Sequence, residues 1–224
     1  VNAAELTGQA RGHVVDVPEA GCAMHAHVAA PFLQMRRAAA GAGFDLAAAS
    51  GFRDFERQLA IWNGKYSGAR PVLDAAGNPV DVAVLDPAQR VRLILTWSAL
   101  PGASRHHWGS DLDLIDRAAL PTGAGYSLTP AEYAPGGPFA GLSVWLEENA
   151  VRWGFFRPYR GARSAVQAEP WHFSFAPIAE PARLRLRPEV LRAALEAAPL
   201  LGKEQVLGDL VDLHARYVER VDLP

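Results

Sequence analysis

The chain has 224 residues, half of them apolar, with a formal net charge of −2 and a pI near 6.4. That length and apolar content support a substantial core in one domain, or in one domain with an extension, with no need of disulfides. Cys22 has no second cysteine to pair with, no long basic run points to nucleic acid, and no apolar run approaches the roughly 20 residues of a membrane-spanning helix.

Residues 1–22 are interrupted by Gly8, Gly12 and Pro18 and read as an irregular lead-in. Cys22 follows Glu19-Ala20-Gly21, but the charged stretch before it lacks the apolar region of a lipoprotein signal, so a buried or partly buried thiol is expected. The chain begins at Val1, which is consistent with a signal peptide removed or omitted. Residues 27–40 have helical composition, with Pro31 near the first turn and Gly41 and Gly43 ending it. A strand over 44–49 leads into Ser50 and Arg53, and Phe55, Leu59, Trp62 and Tyr66 mark a helix over 54–66 with Gln58 on its flank. The Gly- and Pro-rich segment 67–85 reads as a hairpin or ordered loop, after which Asp86-Pro87 opens a helix that ends before Pro101.

Residues 104–114, SRHHWGSDLDL, come next and concentrate metal-ligand chemistry. The Gly- and Pro-rich loop from 117 to about 138 is long enough to form a lid or a wall of a cleft. Leu142, Trp145, Leu146 and Trp153 mark a helix stopped at Gly154, residues 155–163 an edge or loop, and 168–175 a strand bearing Glu169 and His172. Beyond Pro177 the chain is rich in Leu, Ala, Arg and Glu, and Val206, Leu210, Leu213 and Tyr217 have helical spacing. Residues 177–224 therefore read as two helices packed back on a domain formed by 1–176.

Histidine and carboxylate both bind zinc, and a catalytic zinc usually takes three protein ligands and leaves a fourth position for water. Two ligands can come from 104–114 and the third, with a base, from Glu169-Pro170-Trp171-His172. His106 and His107 are neighbours, which on an extended chain point to opposite sides, so at most one of them faces a common metal. Asp113, flanked by Leu112 and Leu114, is costly to bury without a cation. Asp111 shares the face of Asp113 on a regular strand, which places it in the cleft to meet a substrate ammonium or a basic side chain; a bulge would instead turn it to solvent. Glu169 and His172 fall on opposite sides of a regular strand, so a bend at Pro170 has to bring them together. His107 reads as packing with Trp108 or capping the loop, and His13, His25, His27 and His214 as structural or solvent-facing. Trp62, Trp97, Trp145 and Trp153 read as core, Trp108 and Trp171 as cleft lining.

Ser104, His106, Gly109 and Asp113 match the S-x-H-x-x-G-x-A-x-D signature of the zinc D-alanyl-D-alanine carboxypeptidases, Glu169 and His172 their E-x-x-H element, and 50–58 (SGFRDFERQ) their S-x-Y-R-S-x-x-x-Q segment. The chain resembles that family over roughly residues 20 to 176, departing from it at Phe52, Asp54 and Asp111. The resemblance implies Zn2+ held by His106, Asp113 and His172, Glu169 as general base, and Arg53 on the scissile carbonyl or developing oxyanion. Ser104, Gln58, Asp111 and Trp171 are the expected substrate contacts.

The implied fold is an α+β domain of the hedgehog/DD-peptidase kind, a small antiparallel sheet carrying the site and flanked by helices. The implied function is hydrolysis of the terminal D-Ala of peptidoglycan peptides, in the periplasm or otherwise outside the cytoplasm. An L,D-carboxypeptidase, a peptidoglycan endopeptidase, or a zinc-containing binding domain without turnover are the alternatives, the last having no use for Glu169 as base.

Overall fold

In the computed structural model, which describes residues 1–120, 125–161 and 163–224, local sequence signals account for most element ends. Helix α1 (Ala3–Leu6) starts at Asn2, whose side chain forms a reciprocal cap with Glu5. Strands β1 (Val14–Val17) and β2 (Cys22–His25) form a hairpin, pairing Val14 with His25 and Val17 with Cys22. The expected irregular lead-in is thus partly ordered: Val14, Val15 and Val17 favour extended backbone, and Pro18 with Gly21, at φ 71°, turns the chain between the strands. Helix α2 (Ala26–Gly41) contains Pro31 beyond its first turn, so the proline lies deeper than its usual place. Strand β3 (Leu46–Ser50) runs into helix α3 (Phe55–Tyr66), capped by the Asp54 side chain on the Arg57 amide. A small hairpin, β4 (Val72–Leu73) with β5 (Pro79–Val80), precedes helix α4 (Pro87–Leu95), opened by an Asp86–Gln89 capping box.

The remaining elements are β6 (Asp111–Asp116), α5 (Pro130–Tyr133), α6 (Ala140–Asn149), β7 (Phe155–Phe156), β8 (His172–Phe175), α7 (Ala176–Arg185), α8 (Pro188–Ala197), α9 (Lys203–Gly208) and α10 (Leu210–His214). The last strand begins at His172 rather than 168, because Glu169-Pro170-Trp171 forms a turn closed by the His172 amide donating to the Glu169 carbonyl at 3.2 Å. Four short α-helices, not two helices, follow it, the last running on into a π-helical turn (Ala215–Glu219). Part of the expected lid or wall, 121–124, lies outside the described residues; its later part folds into α5, whose Tyr133 packs against Trp171 with ring centroids 5.7 Å apart.

The central sheet has the order β3-β6-β8-β7 and is antiparallel throughout. Its two faces divide by the strand period of two. Leu112, Leu114, Phe173 and Phe175 turn to a core shared with Val28, Phe32 and Met35 of α2 and Leu142 and Leu146 of α6. Burying each such side chain contributes about 1.5–3 kcal/mol, which fixes which face is inward. The other face therefore receives Asp111, Asp113, His172 and Ser174. The register pairs Asp113 with His172 and Asp111 with Ser174 across β6 and β8, and brings Ser50 of β3 opposite Asp113 after a shift next to Ala48.

A second core gathers Phe55 and Trp62 of α3, Ile94 of α4 and Trp108 with Leu191, Leu195, Val206, Leu210 and Leu213 of the C-terminal helices. Residues 177–224 thus share a core with the preceding part of the chain. No helix among the described residues is long and apolar enough to cross a membrane.

Candidate active site

The residues around His106 form one tight helical turn (Arg105–Trp108), ended by Gly109 at φ 64°. The turn separates the two neighbouring histidines. His106 faces β6, whereas His107 is fully buried, its Nδ1 2.6 Å from the Arg53 carbonyl and its Nε2 accepting from the Gly102 amide at 3.1 Å. Burial pushes His107 down to about 3, so it is a neutral bracket between the Arg53 segment and the His106 turn.

Hydrogen-bond partners define the tautomers of the other two imidazoles. His106 Nδ1 lies 2.9 Å from the Gly51 carbonyl, which can only accept, so the proton sits on Nδ1 and Nε2 presents a lone pair 3.4 Å from Asp113 Oδ2. His172 Nε2 lies 2.9 Å from the Asp111 carboxylate and carries the proton there. Its Nδ1 then faces Asp113 Oδ1 at 3.2 Å and Glu169 Oε2 at 3.4 Å. The contact with Asp113 misses hydrogen-bond geometry, and Oδ1 is a buried oxygen without a donor.

Donor atoms of His106, Asp113 and His172 all lie within 4.8 Å of one another, and all three residues are buried. Lone pairs converging on a buried, unsatisfied carboxylate oxygen call for a cation, and two imidazole nitrogens with a carboxylate oxygen suit zinc. Without a metal, a proton serves instead: burial opposes the charge on His172, but the hydrogen bond to Asp111 and the nearby Asp111 and Asp113 carboxylates outweigh it and push the imidazole up to about 10. Burial likewise opposes the Asp113 carboxylate, yet His106 and His172 hold it well below the usual carboxylate range.

Asp111 does not reach the cleft. It is 0% exposed, pairs with Arg105 Nε at 2.8 Å, and accepts from Ser110, Ser174 and His172. The expected contact with a substrate amine is therefore corrected: the basic group that Asp111 meets is Arg105, itself buried against the Trp108 ring at 4.9 Å. Its role is to hold His172 in one tautomer and orientation from behind.

Glu169, brought over His172 by the turn at Pro170, is buried, and burial above all pushes its carboxyl up to about 7. Arg53 donates to Gln58 Oε1 at 2.9 Å and to Ser50 Oγ at 3.2 Å. Gln58 is 1% exposed and its amide donates to the Ala99 carbonyl at 2.7 Å, so the expected substrate contact is corrected to a support for Arg53. Arg53, Ser104, Trp171 and Glu169 line one cleft of about 290 Å³ with His106, Asp113 and His172.

The tryptophans exchange expected places. Trp97 stacks on Trp171 at 6.5 Å and lines the cleft, held by its indole N–H on the Asp74 carbonyl, while Trp108 is fully buried and donates to the Leu6 carbonyl. Sequence reading also missed Lys65, Tyr159 and Tyr217 in the cleft wall. Lys65 carried a signal: it lies seven residues after Gln58 on α3, on the same helical face.

Residues 21–178 match the family model of VanY, D-alanyl-D-alanine carboxypeptidase. The chain belongs to the VanY family. An uncharacterized protein of Haemophilus influenzae is 37% identical over 125 residues, covering 55% of this chain and 95% of that protein. Among solved structures, VanYB in complex with D-alanine-D-alanine superposes with a TM-score of 0.55 at 23% identity, covering 84% of this chain and 91% of that one. A vancomycin-resistance D,D-pentapeptidase VanY in complex with Zn(II) gives 0.53 at 23% identity, with 88% and 91% covered. These two likenesses establish the VanY fold, and with it the expected small antiparallel sheet flanked by helices.

Proposed function

We propose that this chain is a zinc-dependent D,D-carboxypeptidase that removes the terminal D-Ala of peptidoglycan stem peptides, acting outside the cytoplasm. The observation that carries the reading is the convergence of His106, Asp113 and His172 beside a carboxyl poised near neutrality, Glu169. Zinc bound by the three residues would polarise the scissile carbonyl and acidify a water.

The chain's own groups do the rest. Glu169 accepts the proton of the attacking water and returns it to the leaving amine, a task for which a pKa near the working pH is best. Arg53, braced by Gln58 and Ser50, offers guanidinium N–H groups to the carbonyl oxygen as its charge develops. Asp111 and Arg105 keep His172 from turning, and Ser104, Trp97 and Trp171 shape the walls against which the peptide lies. A zinc-binding domain without turnover would leave Glu169 buried at the cost of its raised pKa for no purpose.

Mass spectrometry of peptidoglycan fragments incubated with the protein, with and without chelator, tests the reading. The expected result is chelator-sensitive loss of one alanine from stems ending in D-Ala-D-Ala. Loss of alanine only from stems ending in an L,D bond would make the enzyme an L,D-carboxypeptidase, internal cleavage an endopeptidase, and no cleavage would overturn enzymatic function.

A further inference from the structure

Three cations line the cleft, and they differ in what they already hold. Arg53 is engaged with Gln58 and Ser50, and Arg105 with Asp111 and Ser174. Lys65, in the last turn of α3, holds the fewest partners: like Arg53 it forms no ion pair among the described residues, and it has one neutral partner where Arg53 has two. Its ammonium donates to Ser98 Oγ at 2.6 Å, and among the described residues no carboxylate pairs with it. An ammonium has three N–H donors, and a partly buried one with a single neutral partner is short of acceptors.

Lys65 and Ser98 line the cleft with Glu169 and His172, and the apolar side chains of Leu73, Leu95, Val166 and Tyr217 line it as well. Burial lowers the pKa of the ammonium, and the charge of Glu169 opposes that shift. A carboxypeptidase substrate ends in a carboxylate one bond from the carbon bearing the leaving nitrogen. If that nitrogen collects its proton from Glu169, the carboxylate lies in the same cleft, where Lys65 is a cation with a single neutral partner.

We propose that Lys65, steadied by Ser98, is a specificity-determining residue that binds the C-terminal carboxylate of the leaving amino acid, whose small side chain rests on the neighbouring apolar wall. This rests on the carboxypeptidase reading above. It makes the chemical class of the final residue explicit: a free acid with a small side chain, in preference to an amide or a continuing peptide. A chain that continues past the scissile bond would put a neutral peptide group against the ammonium, and the enzyme would favour exo- over endo-cleavage for that reason.

The test uses the zinc-loaded protein as wild type, Lys65→Met and Lys65→Arg, each checked for zinc content and melting temperature, against D-Ala-D-Ala peptides with a free or an amidated C-terminus. Hydrogen bonds to charged groups are worth enough that Lys65→Met should raise KM for the free acid by about 10- to 100-fold. Cleavage of the amide should fall much less than cleavage of the acid, and Lys65→Arg should recover part of the preference for the acid. Calorimetric binding of D-alanine gives a readout without turnover, and Lys65→Met should weaken it by at least about tenfold. If wild type cleaves no peptide but binds D-alanine through Lys65, the carboxypeptidase reading fails and the subsite stands. Equal losses on acid and amide, or D-alanine binding indifferent to Lys65→Met, would overturn the subsite.

Discussion

Asp111 and Asp113 stand two residues apart on one face of β6, both buried, and their surroundings could hardly differ more. Asp111 is saturated from within: Arg105 neutralises it, and two serines and an imidazole donate to it. Asp113 has two imidazoles turned toward it but an oxygen left without a donor. A buried charge satisfied by the fold is architecture, whereas one that the fold leaves wanting marks where something from outside is to be bound. The same residue type, in the same strand and the same face, thus does opposite work because of what stands opposite it.

The sharpest way to break this contrast is Asp113→Asn. Zinc binding and turnover should fall to background, because one of the three proposed ligands is lost, while the metal-free protein should be destabilised less than that of Asp111→Ala. Comparable unfolding of the two variants would erase the distinction. Glu169→Gln should spare zinc content and lower turnover by about 10²–10⁴-fold, as expected on removing a general base. Unchanged kcat would mean that the proton is taken elsewhere.

Asp111→Ala should act on the scaffold, stripping Arg105 of its partner at a cost of about 3–5 kcal/mol, read by chemical denaturation. Loss of the support behind His172 should also weaken zinc by about 10- to 100-fold in chelator competition. The smallest effect concerns protons. Because the folded, metal-free His172 is held above its ordinary 6.5, at about 10, the stability it contributes is complete below pH 6.5 and fades as pH rises through 10. Zinc requires the neutral ring, so binding near pH 7.5 should release about one proton from His172, measured by calorimetry in buffers of different ionisation enthalpy. Zinc uptake without proton release would show that Asp111 and Asp113 do not hold the ring charged.

Much of this contrast was open to sequence reading, and the part that was not has a physical reason. His106, Asp113, Glu169 and His172 stand out through the motifs by which the chain resembles the zinc carboxypeptidases, and the bend they required is supplied at Pro170. Asp111 was placed on the correct face, since that depends only on the period of a strand. Its partners were not foreseeable, because Ser174 arrives through the pairing with β8 and Arg105 through the turn before it. Gln58 was noticed for its motif, but its role depends on the Ala99 carbonyl, 41 residues away in the chain. Trp97 and Trp108 were exchanged for a similar reason: sequence places a tryptophan beside a motif, not inside or outside a cleft. The helices beyond 177 were expected to pack on the domain, but their share in its core is a property of tertiary contact alone.

The N-terminal hairpin presses on Gly51 and Gly109. A methyl group on Gly51 would come within 2.6 Å of the Ala23 carbonyl and 2.7 Å of Cys22 Sγ, and one on Gly109 within 2.6 Å of the His25 amide, where φ is already 64°. The Gly51 carbonyl also receives His106, and the Gly109 carbonyl receives the His25 amide. These glycines act as a template against which β2 is laid down, so tolerance to substitution at 51 and 109 is governed by clearance beneath the hairpin. A relative without the hairpin would be free to carry other residues at position 51 while keeping the same reaction, and a graft of this site onto another scaffold would have to bring β1 and β2 with it or redesign both positions.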